Sequence, residues 1–247
     1  MYRSRNFYLR LRGDLALFTN PATKGGGERS SYPVPTRQAL QGVVDAVYYK
    51  PTIANVVTEV KVINQIQTEL HGVRALLSNY SADLSYVSYL SDVEYLVKFH
   101  FTWNDNRPDL EHDRLPNKHE AIMARSLKKG GRRDVFLGTR ECHGLIDAIS
   151  QEEYESATVP DCYKGQTIDF GIMFHSFAYP TDKQTPLRSY FTQTVMENGT
   201  IHFKAQSECE IMNTLSSYAF KTPGQVKPVD EEYAIYQADE AREKGGS

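Results

Sequence analysis

The sequence is poor in cysteine and has no long apolar run. Its three cysteines lie far apart, at positions 142, 162 and 209, and form no CxxC pair. This spacing argues against a zinc site or a disulfide framework and fits a reducing cytosol. No apolar run approaches 18 residues, and the N-terminus lacks the apolar stretch of a signal peptide. We therefore expect a cytoplasmic protein with no membrane partner.

The motifs of several enzyme classes are also missing from the sequence, which contains no GxSxG, no HExxH and no carboxylate-rich metal pattern. The glycines at 25–27 have neither Walker A nor dinucleotide-binding spacing, although their flanking Lys24 and Arg29 suit a loop that contacts RNA or a partner. His112-Asp113 and the acids at 105–109 are more typical of an exposed loop than of metal ligands. The sequence thus predicts neither a metal site nor a cofactor.

Charge is distributed unevenly along the chain. The formal net charge is −3, yet the first 50 residues carry eight lysines and arginines against three acids, whereas six acids and two basic residues follow position 229. A basic half with an acidic tail is compatible with an anionic partner on one face. An ordinary solvated surface of mixed charge explains the charge alone equally well.

A half-buried strand is predicted near the N-terminus, where apolar residues alternate with Tyr8, Arg10 and Arg12. An aromatic and basic face of this kind is typical of surfaces that stack RNA bases and hold phosphates. Taken alone, a strand with ordinary solvated arginines is the commoner explanation.

Two amphipathic helices are predicted. The first begins after Thr36, which is its N-cap, and runs to about Lys50. The second is capped by Asn117, with Glu120 completing a capping box, and Gly130 follows its last turn.

The remaining segments predict strands and the fold class. Strands are expected at 53–70, 93–103, 134–141, 168–179 and 190–203, with an inserted loop or hairpin at 71–91 and a hairpin turn at Asn198-Gly199. The order strand, helix, strand, strand, helix, strand is that of a ferredoxin-like domain and of the RNA-recognition fold. We therefore predict an α+β protein, with a ferredoxin-like domain and its β-hairpin insertion over 1–148. A small antiparallel β subdomain with a frayed acidic tail is expected over 149–247.

The densest basic segment lies between residues 117 and 141, where seven basic residues face three acids. It opens with Lys118-His119 at the start of the second helix, while Tyr48 and Tyr49 end the first. Both helices of a ferredoxin-like fold pack on one face of the sheet, so these side chains can approach one another. RNA supplies its own 2′-OH nucleophile, and cleavage then needs proton transfer by His or Tyr and charge stabilisation by Lys, without a metal. A lone Lys-His dipeptide is not specific for this chemistry.

Several motifs together resemble one known family. They are YPVPT at 32–36, Ala-Leu-x-Gly at 39–42, YYKPT at 48–52, GVR at 72–74, RPDL at 107–110, Lys118-His119, GGRRDVFLGTREC at 130–142 and MENG at 196–199. The resemblance is to the CRISPR-associated pre-crRNA endoribonuclease of type I-C systems, the d (or c) subtype of the fifth Cas family in the RAMP superfamily. It covers residues 7 to about 203, and the block at 130–142 is long enough to be specific.

The resemblance implies metal-independent cleavage of the CRISPR repeat hairpin and retention of the crRNA 5′ handle in a Cascade surveillance complex. The family's catalytic tyrosine, lysine and histidine fall on Tyr48, Lys118 and His119, with Tyr49 as the alternative register for the tyrosine. The implied partners are CRISPR repeat RNA or crRNA, the backbone and large subunits of type I-C Cascade, and target DNA as a further candidate. Contacts with the RNA backbone are expected from Arg10, Arg12, Lys24, Arg29, Lys128, Lys129, Arg132 and Arg133.

Two rival functions stay open at this point. In the first, the chain is a non-catalytic scaffold that binds the crRNA 5′ handle while another protein cuts; most relatives in the wider fifth Cas family are of this kind, so the fold cannot decide. In the second, which is the weaker, the chain is a metal-dependent DNase, for which the sequence shows no ligand set.

Overall fold

A computed structural model describes residues 2–21, 23, 28–76, 82–180, 185–216, 233 and 237 of the chain. It shows a mixed chain with few helices and a large antiparallel sheet, which confirms the predicted α+β class. Lys24, the glycines at 25–27 and nearly all of the acidic tail lie outside the described residues.

The N-terminal part of the chain supplies the centre of the sheet and both long helices. Its elements are β1 (Phe7–Ala16), β2 (Arg29–Ser30), α1 (Arg37–Val47), β3 (Ile53–Val62), β4 (Thr68–Leu76), β5 (Ala82–Trp103), α2 (Pro116–Lys128), β6 (Val135–Phe136) and β7 (His143–Ala148). In the sheet, four of these strands lie in the order β3-β5-β1-β7, and each is antiparallel to its neighbour.

The C-terminal strands extend the same sheet. They are β8 (Thr167–Ala178), β9 (Leu187–Glu197), β10 (Thr200–His202) and β11 (Ile211–Ser216), and a short helix α3 (Gln151–Ser156) precedes them. The predicted hairpin turn is confirmed, because Asn198 and Gly199 both have positive φ between β9 and β10. Since β10 pairs with β3, the strands of both halves form one hydrogen-bonded path, and the domain boundary at 148/149 stays a prediction.

The first helix forms as predicted. The side chain of Thr36 accepts a hydrogen bond from the Ala39 N–H at 3.2 Å, which satisfies a backbone donor that the helix itself leaves free. The apolar residues of α1 recur at helical spacing and are all buried: Leu40, Val43, Val44 and Val47. The helix ends at Tyr48, whose backbone is already extended.

The predicted capping box of the second helix is wrong. Helix α2 begins at Pro116, a residue that suits the first position because it has no N–H to satisfy, and no side chain caps it. The Glu120 carboxylate instead accepts hydrogen bonds from the Tyr2 hydroxyl at 2.9 Å and the Arg5 N–H at 3.3 Å. The far end agrees with expectation, because Gly130 has a φ of 77° just beyond the helix.

Two strand predictions change in the structure. The strand predicted at 53–70 divides into β3 and β4. Strand β4 pairs with the first half of the 22-residue strand β5, so the hairpin alternative predicted for 71–91 is the one that the described residues 68–76 and 82–90 form. The strand predicted at 134–141 is wrong, because only Val135 and Phe136 pair before the chain turns at Gly138. A Cβ at Gly138 would lie 2.0 Å from the carbonyl oxygen of Leu17, so this close turn requires glycine. The strand that pairs with β1 on the side away from β5 is therefore β7.

The two faces of the sheet are covered differently. Phe7, Phe99 and Phe101 from β1 and β5 share one core with the buried faces of α1 and α2. On the other face Tyr8 is buried with Tyr154 of α3, their ring centroids 4.9 Å apart. The predicted open aromatic face of β1 is therefore wrong at Tyr8, because α3, which the sequence analysis did not detect, covers it.

Candidate active site

A buried tyrosine and a buried histidine meet where the two long helices approach each other. Tyr48 follows α1, His119 lies in the first turn of α2, and the Tyr48 Oη and His119 Nδ1 atoms are 2.9 Å apart. The His119 Nε2 atom lies 2.8 Å from the backbone oxygen of Asp113. A carbonyl oxygen only accepts, so Nε2 carries the proton, Nδ1 is the acceptor and the Tyr48 hydroxyl donates.

The structure distinguishes between the two adjacent tyrosines. Only 1% of Tyr48 is exposed, whereas 49% of Tyr49 is. Burial raises the pKa of Tyr48, and the nearby Arg132 charge only partly offsets this effect. Tyr48 therefore keeps its proton at neutral pH and lies where His119 can accept it.

Arg132 packs against the face of the Tyr48 ring. Its guanidinium carbon lies 4.9 Å from the centre of the Tyr48 ring, and its Nε donates to Ser126 Oγ at 3.0 Å. This placement depends on the turn after α2, where Gly130 and Gly131 have φ values of 77° and 103°. The backbone N–H groups of Arg132 and Arg133 then both donate to the carbonyl of Ala46, which ties the turn to the end of α1.

Asp113 links the histidine to Lys118. Its carboxylate forms an ion pair with the Lys118 ammonium group and accepts a hydrogen bond from Thr52 Oγ1 at 2.7 Å. The second carboxylate oxygen lies 3.5 Å from His119 Nε2. Lys118, and then Thr52, hold the pKa of Asp113 down at about 2, so this carboxylate is ionised at any working pH.

Asp113 was not among the predicted site residues, because its sequence context is typical of an exposed acidic loop. Its partners lie 61, 6 and 5 residues away, and the first of these is brought close only by the tertiary fold. The local signal that could have found Asp113 is its position three residues before Pro116, which places it near the first turn of α2.

The residues predicted to bind RNA fall into two groups. Lys128, Lys129 and Arg133 are exposed at the end of α2, and with β7 the turn lines a groove of about 500 Å³. Within the described part of the chain neither lysine has a salt bridge. Because these three lie on the turn that carries Arg132, the structure brings them into one region with Tyr48.

Three other predicted RNA contacts, Arg10, Arg12 and Arg29, lie on β1 and β2. Arg10 pairs with Glu94 at 3.4 Å and Arg12 pairs with Asp147 at 2.5 Å, so both positive charges already have acidic partners. Arg29 is exposed on β2, which pairs with the hairpin segment of β5.

Comparison with known proteins decides the family. The sequence model of the Cas5d family, described as a CRISPR-associated protein (Cas_Cas5), matches residues 7–204. The chain belongs to the Cas5d family of CRISPR-associated proteins. The resemblance drawn from the sequence motifs is thereby confirmed.

Individual relatives agree with the Cas5d assignment. A curated Thermus thermophilus protein, the CRISPR pre-crRNA endoribonuclease Cas5d, is 29% identical over 185 residues, which cover 70% of this chain and 74% of the relative. A crystal structure of a CRISPR-associated protein is 69% identical, with a TM-score of 0.76 over 87% of this chain and 99% of that one. A functionally uncharacterized Streptococcus mutans protein is 70% identical, with a TM-score of 0.75 over 87% of this chain and all of that one.

Metal-ligand clusters and membrane-spanning helices are both absent from the described part of this Cas5d protein. Among the described residues, no group of three or more His, Cys, Asp or Glu side chains is placed to hold a metal ion. No helix in the described ranges is long and apolar enough to cross a membrane.

Proposed function

We propose that this Cas5d protein is an endoribonuclease that cuts CRISPR repeat hairpins in pre-crRNA by a metal-independent reaction. The observation that carries the proposal is the 2.9 Å hydrogen bond between Tyr48 Oη and His119 Nδ1, with Lys118 adjacent in the chain. These are the three positions on which the family resemblance puts the catalytic tyrosine, lysine and histidine. A relative named as a pre-crRNA endoribonuclease supports the same reaction.

A ferredoxin-like arrangement of the N-terminal strands and helices supports RNA as the substrate. Strands β7-β1-β5-β3 lie in the order of a ferredoxin-like RAMP domain, with α1 and α2 as its two helices and the β4–β5 hairpin as its insertion. The RNA-recognition module has this same chain order. In such a domain the two helix ends that carry Tyr48 and His119 belong to one face.

The proposed reaction moves one proton from the attacking oxygen to the leaving oxygen of the RNA. The 2′-OH gives its proton through the Tyr48 oxygen to His119 Nδ1 while the 2′-oxygen attacks phosphorus. The P–O5′ bond then breaks and O5′ takes the proton back, which leaves a 2′,3′-cyclic phosphate and a 5′-hydroxyl. The raised pKa of Tyr48 favours this relay role over that of a free phenolate base. Lys118 neutralises the charge that develops on the phosphorane.

The basic turn after α2 is proposed to hold the RNA backbone. Lys128, Lys129 and Arg133 are exposed beside the groove against β7, and Arg132 joins this turn to the Tyr48 ring. Arginine and lysine contacts to phosphate position a nucleic acid without reading its sequence. We propose further backbone contacts from Arg10, Arg12, Lys24 and Arg29, although Arg10 and Arg12 must exchange an acidic partner for phosphate.

After cleavage the protein is proposed to keep the crRNA and to join the backbone and large subunits of a type I-C Cascade complex, where target DNA is a further partner. A cytoplasmic location follows from that role.

One observation favours the rival scaffold function. His119 is fully buried and only 1% of Tyr48 is exposed, so neither side chain is accessible to an RNA phosphate. In a protein that only binds the crRNA handle, RNA does not need to reach these two side chains. For cleavage, the 3-10 turn Pro108–Asp113, which ends at the His119 contact, must shift when RNA binds.

A gel assay separates the two functions. Purified protein is incubated with a hairpin repeat RNA in EDTA, and the product termini are mapped. We expect a single cut with a 2′,3′-cyclic phosphate, and a loss of cleavage in Tyr48→Phe but not in the matched control Tyr49→Phe, which removes an exposed hydroxyl. Intact, tightly bound RNA after long incubation supports the scaffold, and cleavage that requires a divalent metal contradicts the mechanism.

A further inference from the structure

The Asp113 carboxylate is surrounded by hydrogen-bond donors of the kind that bind phosphate. Lys118 is paired with one carboxylate oxygen, and the Thr52 hydroxyl donates to the other at 2.7 Å. The same second oxygen lies 3.5 Å from His119 Nε2. A carboxylate is planar and a phosphate is tetrahedral, but both present anionic oxygens that accept charge-assisted hydrogen bonds. One can therefore replace the other on such donors.

The position of these donors matches the proposed reaction. Lys118 is the residue expected to neutralise the phosphorane, yet its charge is already matched by Asp113. Thr52 is buried, and within the described chain Asp113 is the acceptor of its hydroxyl hydrogen bond. Lys118 is 45% exposed and Asp113 22%, so the pair faces solvent beside the closed Tyr48–His119 pair. An incoming phosphate can therefore reach Lys118 before it reaches the histidine.

We infer that Asp113 occupies, in the RNA-free protein, the place that the scissile phosphate takes in the complex, and that Thr52 and Lys118 form a phosphate cradle. The inference rests on the proposed function, because it names the phosphate of that same site. RNA must displace the Asp113 carboxylate from both donors. Since the 3-10 turn ends at Asp113, displacement also moves the segment whose backbone oxygen holds His119.

This arrangement makes Asp113 a competitor of the substrate. Loss of the Asp113 carboxylate should therefore increase the affinity for RNA by more than the loss of another surface carboxylate would. A change of pH does not relieve the competition in the working range, because the pKa of Asp113 is about 2.

The test uses a repeat RNA with a 2′-deoxy substitution at the cleavage site, which binds without being cut. Its Kd is measured at one fixed salt concentration for the full chain, for Asp113→Asn and for Asp109→Asn. Asp109 is a matched control, because it lies in the same 3-10 turn and pairs with the exposed Arg107. We expect Asp113→Asn to bind about tenfold more tightly, and Asp109→Asn to change Kd by less than about twofold.

Thr52→Val provides a second arm that does not depend on charge. In the double variant Asp113→Asn/Thr52→Val, the decrease in log Kd is expected to be about half of that in Asp113→Asn alone, because the cradle loses one donor. Thermal unfolding of each variant shows that it is folded. Equal effects of Asp113→Asn and Asp109→Asn, or a double variant that binds as tightly as Asp113→Asn, overturn the inference.

The outcome is separable from that of the proposed function. A wild-type protein that never cuts repeat RNA but shows the selective gain in Asp113→Asn refutes the nuclease and retains the cradle. A wild-type protein that cuts while the two Asn variants behave alike refutes the cradle and retains the nuclease.

Discussion

The two ends of helix α2 differ in how their charged and polar groups are partnered. At the N-terminal end, His119 has both ring nitrogens hydrogen-bonded and Lys118 is paired with Asp113. At the C-terminal end, Lys128 and Lys129 are exposed and have no salt bridge within the described part of the chain. Chemistry needs groups held in one geometry, whereas a grip on a flexible polyanion needs only accessible charge. The contrast predicts that loss of His119 lowers the cleavage rate, whereas loss of Lys128 and Lys129 weakens RNA binding.

The largest expected effect comes from His119→Ala. We expect the single-turnover rate of repeat cleavage to fall by about 10²–10⁴-fold, because the acceptor of the tyrosine proton is lost. The Kd for uncleavable RNA should change little, since His119 is fully buried and both of its ring nitrogens are hydrogen-bonded within the protein. A His112→Ala control removes an exposed histidine seven residues before His119 and tests for a general effect of losing a histidine. An equal rate loss in that variant contradicts the assignment.

Tyr48→Phe tests the same end through stability. It removes the Tyr48 hydroxyl and leaves the buried His119 Nδ1 without its donor, which should lower the free energy of unfolding by about 1–3 kcal/mol. Tyr49→Phe removes an exposed hydroxyl and should change it by less than about 0.5 kcal/mol. Urea unfolding of both variants measures the difference, and equal values would mean that the buried hydrogen bond contributes nothing.

The exposed end should respond to salt instead. Replacement of Lys128 and Lys129 by Ala together is expected to weaken RNA binding about tenfold at low salt and to reduce the slope of log K against log salt by about 1–2. The cleavage rate at saturating RNA should stay near that of the wild type. An unchanged salt slope would show that the turn does not contact phosphate.

The sequence alone identified the parts of this site that are set by local pattern. Thr36 and the apolar spacing of α1 place Tyr48 at the helix end, and the motif resemblance selects Lys118 and His119. Local pattern could not show that Glu120 bonds to Tyr2 rather than to its own helix.

Contacts between distant parts of the chain account for the remaining errors. Gly138 turns the chain because it packs on the Leu17 carbonyl, and Tyr8 is buried because α3 covers it. Asp113 acquires its role only when the fold brings Thr52 to it. Each of these features depends on residues far apart in sequence, which periodicity and capping rules do not relate.

The smallest expected effect concerns acid stability and the Asp113 ion pair. The pKa of Asp113 is about 2 in the folded protein against an ordinary 3.8, so folding favours the ionised form. Ionised Asp113 therefore makes its full contribution to the free energy of unfolding above about pH 4, and this contribution is lost as the pH falls through about 2. Asp113→Asn should remove about 1 kcal/mol of this pH-dependent stability, since the pair is partly exposed and screened. Urea unfolding between pH 1.5 and 6 should show wild-type and variant curves that converge at the acid end. Curves that stay parallel would mean that Lys118 and Asp113 are not paired in solution, and that the N-terminal end of α2 is as open as the other.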